Sequence, residues 1–287
     1  MSTIKLKTEL ISKKINHLND CPRSLYIKSE LKDPLKIFNQ PTVAVVGSRK
    51  LTSYGKAVTE KIVAELVSKG VVIVSGLALG IDSVAHSQAL QSGGSTIAVL
   101  PCGVNSVYPR SHLNLADTIV KNGALISEYQ PDEKIAYKQN FIARNRIIAG
   151  LSDIIFIPEA ASGSGSLHTA QFGIDLGIDI FAAPGSIFSP SSVGTNSLIK
   201  TGAYLLDSAE QILQTLGIKA HKKPRQLPLL DSQEQMQIVE LLLNGPVHFE
   251  NIVLKTKLST AAVNSNLSML EILGIIKNIG NNNWDLK

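Results

Sequence analysis

Three segments carry residue types whose spacing suits the holding of an anion. The first is Gly47-Ser48-Arg49, which ends an apolar run and precedes a stretch of helical period from Lys56. A strand-to-helix turn of this kind offers backbone N–H groups and the positive end of a helix dipole. Arg49 and Thr52 stand where a dinucleotide fingerprint needs its second and third glycines. The spacing from Gly47 to Gly55-Lys56 is too long for a Walker A loop, and Ala57 replaces its Ser or Thr. The other reading of Arg49 is a pair with a surface carboxylate. The second segment, Ser164-Gly165-Ser166-Leu167, follows the apolar run Ile154–Ile157 and opens a helix toward Leu176. Its small residues admit a phosphate close to the backbone and its hydroxyls add donors, although an ordinary tight turn has the same composition. The third, Lys138 to Arg146, places Lys138, Phe141, Arg144, Asn145 and Arg146 together. Such a set can hold backbone phosphates while the ring stacks on a base. Alternatively, the arginines anchor carboxylates of the same domain and Phe141 is core.

Groupings for covalent or metal chemistry are sparse. The histidines, His17, His86, His112, His168, His221 and His248, lack metal-ligand spacing, and Cys21 and Cys102 have no motif partners. No G-x-S-x-G elbow surrounds Ser164 or Ser166. Asp82 and His86, four apart, read as residues that cap and pin a helix.

Those segments sit on a recurring frame. Short apolar runs at Thr42–Gly47, Val71–Gly76, Thr96–Cys102, Ala124–Glu128, Asp153–Glu159 and Asp179–Gly185 show no polar alternation. Strands of this kind are covered on both faces, as in a parallel sheet. With helical segments between them, Thr42–Leu216 reads as a doubly wound α/β sheet. Residues 1–40 form a lead-in, with a helix expected at Leu6–Leu18 and a strand at Leu25–Lys28. Residues 41–217 form the sheet domain and 218–232, basic and with two prolines, a linker. Residues 233–287 give three short helices and a hairpin around Gly280, the winged-helix pattern.

The 287 residues carry 28 Lys and Arg against 23 Asp and Glu, an excess that points weakly to an anionic partner. Two cysteines exclude a disulfide framework. No apolar run is long enough to span a bilayer, and the charged start, Lys5 to Lys14, does not suit a signal peptide. The expectation is a cytoplasmic protein without membrane insertion.

In order, the motifs resemble those of the DNA-processing protein A (DprA/Smf) family. The match runs through Gly47-Ser48-Arg49, Ser75-Gly76-Leu77-Ala78, Gly80-Ile81-Asp82, Tyr108-Pro109, Arg144-Asn145-Arg146, Glu159-Ala160, Ser164-Gly165-Ser166-Leu167, Ala183-Pro184-Gly185 and Gly194-Thr195-Asn196. The resemblance implies an extended Rossmann-like fold and a non-catalytic, cofactor-free homodimer that binds single-stranded DNA and loads the RecA recombinase during natural transformation. It assigns DNA contact to Gly47, Ser48, Arg49, Lys138, Phe141, the Arg144 cluster and the Ser164–Leu167 loop.

The competing reading is a nucleotide phosphoribohydrolase of the lysine-decarboxylase-like Rossmann type, which the chain resembles loosely around Gly165-Ser166. There Thr169 occupies the place of the catalytic Glu. In the tail, Thr260–Leu273 would be the reading helix, yet it holds no Lys or Arg. Little counterion release is available to it, so a protein contact or accessory role is expected of the winged helix.

Overall fold

The computed structural model describes residues 2–8, 11, 14–18, 20–134, 137, 139–218, 230, 232–243, 245–280 and 282–286. They belong to two compact units, Met1–Ala220 and His221–Lys287. Most of the expected linker, residues 219–229 and 231, lies outside the described residues.

In the first unit the apolar runs become short strands. These are β1 (Ser2–Lys7), β2 (Ser24–Ser29), β3 (Thr42–Val45), β4 (Val72–Ser75), β5 (Thr96–Val99), β6 (Ala124–Ser127), β7 (Ile154–Ile157), β8 (Asp179–Ala182) and β9 (Tyr204–Leu205). Between and after them run α1 (Ser53–Val67), α2 (Ile81–Gln91), α3 (Leu113–Asn122), α4 (Gln139–Gly150), α5 (Ser166–Asp175), α6 (Val193–Lys200) and α7 (Ala209–Thr215). The sheet order is β1-β2-β6-β5-β4-β3-β7-β8-β9. Every pairing from β6 to β9 is parallel, while β1 and β2 add an antiparallel edge.

Alternate strand residues enter opposite layers. Val43, Val45 and Phe156 pack with Ile62, Val63 and Leu66 of α1 and Ile81 of α2. Ala44, Ile155 and Ile157 pack with Ile147 and Ile148 of α4 and Ala170 of α5. Burial on both faces is the reason the runs lack alternation.

Among the described residues, the helix expected over Leu6–Leu18 is not formed. Its start is β1 and its end a single 3-10 turn, Lys14–His17. Ile4 and Leu6 alternate with Lys5 and Lys7, which suits an edge strand, and pairing with β2 outweighs the local helical spacing.

The second unit holds α8 (Gln233–Leu242), β10 (Val247–His248), α9 (Phe249–Thr256), α10 (Thr260–Ile272), β11 (Ile276–Gly280) and β12 (Asn283–Leu286). Ile238, Leu242, Ile252, Val263, Leu267, Leu270 and Leu286 form its core. The Ser259 hydroxyl accepts from Ala262 N at 3.2 Å and caps α10. This is a winged helix. Among the described residues no helix is long and apolar enough to cross a membrane.

Candidate nucleic-acid interface

The chain winds outward from β3 in both directions, to β4–β6 on one side and β7–β9 on the other. The reversal between β3 and β7 is the topological switch point, and the crevice beyond its carboxyl ends is where such sheets bind ligands. Both glycine-containing segments follow those two strands. The loops leaving β3 and β7 meet: the Ser48 amide donates to the Glu159 carbonyl at 2.8 Å. A Cβ on Gly47 would stand 2.8 Å from that same carbonyl oxygen, so glycine is what permits the approach.

Arg49 leaves this junction exposed to solvent. Its guanidinium carbon lies 5.3 Å from the centre of the half-buried Phe141 ring, on the first turn of α4. Tyr108 meets Phe141 edge-on, with ring centres 5.4 Å apart. A cation and two aromatic rings thus line the mouth of the crevice.

The second segment leads into α5. Gly165 is its N-cap residue and no side chain caps it. Ser164 and Ser166 share a hydroxyl–hydroxyl bond of 2.9 Å. Ser166 is buried, and Leu167 packs against the core. Ser48 is buried too, its hydroxyl donating to the Lys50 carbonyl at 2.9 Å and accepting from the Lys50 amide. It therefore shapes the Arg49 turn. Lys138, named with these residues, lies outside the described residues.

Arg144, Asn145 and Arg146 have protein partners in place of the expected phosphate. Arg144 is 3% exposed. Its Nη1 donates to the Gly76 and Val99 carbonyls at the ends of β4 and β5, and its Nε to Asn145 Oδ1 at 3.1 Å. Burial, with the Arg49 charge adding to it, lowers the Arg144 pKa to about 10, and Asp82 opposes that fall. The guanidinium is still protonated at neutral pH. Asp82 is buried as well, accepts from Gly76 N at 3.0 Å, and has its pKa raised by burial while Arg144 acts in the opposite sense. Asn145 Nδ2 donates to the Gly165 carbonyl at 3.2 Å, which ties α4 to the second segment. Arg146 forms a two-pronged pair with Glu128, at 3.1 and 2.7 Å, and reaches Asp20 at 3.4 Å. The physical reason is enclosure: α4 is buried all round from Arg144 to Gly150, and Arg144 and Arg146, on opposite sides of it, must each find carbonyls or carboxylates there.

Burial also sets the protonation of two further groups near Arg144. Burial pushes the Cys102 thiol up to about 11. His86, fully buried, has its pKa lowered to about 3, first by burial and then by the charges of Arg144 and His112. Among the described residues, no group of His, Cys, Asp and Glu is placed to hold a metal ion.

Glu159 and Tyr108 are not marked as site residues by local sequence, and Asp82 reads there as a helix cap. Glu159 and Tyr108 act through partners distant in sequence, 107 residues away for Glu159 and Thr52, so no local pattern marks them.

The fold and the site define a doubly wound α/β binding protein whose crevice at the β3/β7 switch point is lined by a cation and aromatic rings, with a winged helix in a second unit. The profile of the family described as DNA recombination-mediator protein A matches residues 2–217, and that of the DprA winged helix domain matches 221–279. The chain belongs to this family, DprA/Smf. It is 44% identical over 207 residues to protein Smf of Escherichia coli, covering 71% of this chain but 54% of that protein, so it spans only about half the length of that relative. The structure of DNA processing protein A from Streptococcus pneumoniae superposes with a TM-score of 0.69 and 39% identity, covering 75% of this chain and 74% of that one. That of Helicobacter pylori DNA processing protein A, a study of its single-stranded DNA binding mode, gives 0.67 and 33%, covering 75% and 96%.

Proposed function

We propose that this protein binds single-stranded DNA in the crevice at the β3/β7 switch point, without catalysis and without a cofactor. The observation that carries the reading is the placement of the exposed Arg49 over Phe141, on the helix whose Asn145 bonds the uncapped start of α5. A cation next to a stacking ring and a helix N-terminus suits sequence-independent contact with phosphate and base. The single-strand binding of the Helicobacter pylori relative supports it. Lys138, Ser164, Gly165 and Ser166 complete the proposed contact set, whereas Arg144 and Arg146 support it from within. Loading of RecA, homodimer formation and a cytoplasmic role in natural transformation are the finer parts of the proposal and rest on the family resemblance.

The hydrolase reading gains no support. Thr169, where that chemistry needs a carboxylate, is 1% exposed.

Titration of a labelled oligonucleotide, followed by anisotropy and light scattering, tests the proposal. Saturable binding that duplex DNA competes for poorly is the expected result. Equal competition by duplex, or release of base from a nucleotide, would overturn it.

A further inference from the structure

The start of α1 is where the sequence leads one to expect an external anion. The anion found there is the protein's own. Glu159, 2% exposed and just beyond β7, directs its Oε2 to the Thr52 amide at 2.9 Å. Thr52 is the N-cap residue of α1, and its hydroxyl accepts from Gly55 N at 3.1 Å. That is half of a capping box. In the usual box the residue three beyond the cap supplies a Glu or Gln whose side chain returns to the cap amide. Here that residue is Gly55, which has no side chain, and a Cβ on it would overlap Glu159 Oε2. The missing half of the box is delivered from the loop after β7.

The delivery has a consequence for the crevice. Glu159 binds the Arg49 turn at both ends, through its carbonyl to Ser48 N at 2.8 Å and through its carboxylate to Thr52 N. On the opposite side Ile81 N donates to the Ser48 carbonyl at 3.1 Å. Arg49 is carried between these fixed points. The second carboxylate oxygen, Oε1, is buried and has no hydrogen-bond partner among the described residues. Packing alone is poor reason to retain a buried group with an unpaired oxygen.

We propose that Glu159 is a positioning residue for strand binding, an internal anion that completes the α1 cap and thereby holds Arg49 against Phe141. The inference rests on the single-strand reading of the crevice. It predicts that Glu159 affects DNA only through Arg49.

The test is a salt series of oligonucleotide binding to the full chain, with Arg49→Ala, Glu159→Ala, Glu159→Gln and the double variant Arg49→Ala/Glu159→Ala. Loss of one phosphate contact lowers the salt slope by roughly 0.7 on a single strand. Glu159→Ala is expected to lower the slope as Arg49→Ala does, and the double variant to be no worse than Arg49→Ala alone. Glu159→Gln keeps an oxygen for the Thr52 amide and is expected to recover the slope. Should Glu159→Ala fail to fold, Gly55→Ala, which displaces the carboxylate from Thr52, is read in its place. A folded Glu159→Ala with the wild-type slope, a double variant that loses two separate increments, or a Glu159→Gln as weak as Glu159→Ala would overturn the proposal. An unchanged slope in Arg49→Ala would instead sink the crevice reading itself.

Discussion

The guanidinium of Arg49 sits 5.3 Å from the centre of the Phe141 ring, although 92 positions of chain separate them. Neither residue is held by the other alone. Arg49 is placed by the turn after β3, and Phe141 by the first turn of α4, whose buried face is fixed by Arg144 and Arg146. A cation over an exposed ring contributes about 0.5–1 kcal/mol, too little to organise the crevice. The pair is a consequence of the scaffold, and it leaves both groups available to a strand.

Phe141→Ala is expected to weaken oligonucleotide binding by about 1–3 kcal/mol, the range for loss of one base–aromatic contact. Because the ring is only half-buried, the melting temperature should move little. Anisotropy and a thermal melt on the same preparation check this, and a large loss of stability with unchanged affinity would make Phe141 a core residue.

Arg49→Lys separates charge from shape. A lysine keeps the phosphate charge but not the planar fork that lies on the ring. The expected outcome is a salt slope close to wild type with reduced affinity, measured by titration between low and moderate salt. If Arg49→Lys were indistinguishable from wild type in both, the stacking of the guanidinium would have no part in binding.

Arg144→Met removes the buried cation that bonds the Gly76 and Val99 carbonyls and faces Asp82. Leaving buried hydrogen-bonding groups without their partner costs about 1–3 kcal/mol each. Urea unfolding should show a loss of that order. A variant that is fully stable but does not bind DNA would return Arg144 to the contact set.

The pH dependence of stability should carry the signature of His86. Its Nδ1 lies 2.7 Å from Thr96 Oγ1, which itself donates to the Ile73 carbonyl. Thr96 therefore accepts, and the imidazole is the neutral Nδ1–H form with Nε2 unpaired. The folded pKa, about 3, is below the ordinary 6.5. Stability from the neutral ring is fully present above 6.5. It declines as pH falls toward 3, because the unfolded chain takes up a proton that the native ring refuses, at up to about 1.4 kcal/mol per pH unit. His86→Gln should flatten the stability profile across that window, measured by denaturant unfolding at several pH values. An identical slope in the variant would refute the assignment.

The strands of the sheet are legible in the sequence because they are buried on both faces, and that burial writes itself as unbroken apolar runs. β1 is not legible, since an edge strand of Ile4, Lys5, Leu6 and Lys7 takes its conformation from pairing with β2. The glycine segments are legible as strand-to-helix turns. The assignment of Arg144 and Arg146 is not, for an arginine looks the same in sequence whether it faces water or a carbonyl.

What the sequence determined by itself is the family, through its ordered motifs, together with the doubly wound class, the winged helix and some of the groups at the crevice, Arg49 and Phe141 among them. Those follow from local burial patterns and residue types. Tertiary structure alone decided which of those groups face outward. Arg49 and Phe141 stand at the mouth, while Arg144 and Arg146 are enclosed because α4 is covered on all sides from Arg144 onward. It also decided that the anion at α1 is Glu159, because the β3/β7 switch point brings two distant loops within one hydrogen bond of each other. Direction and proximity arise from packing, and a one-dimensional pattern does not contain them.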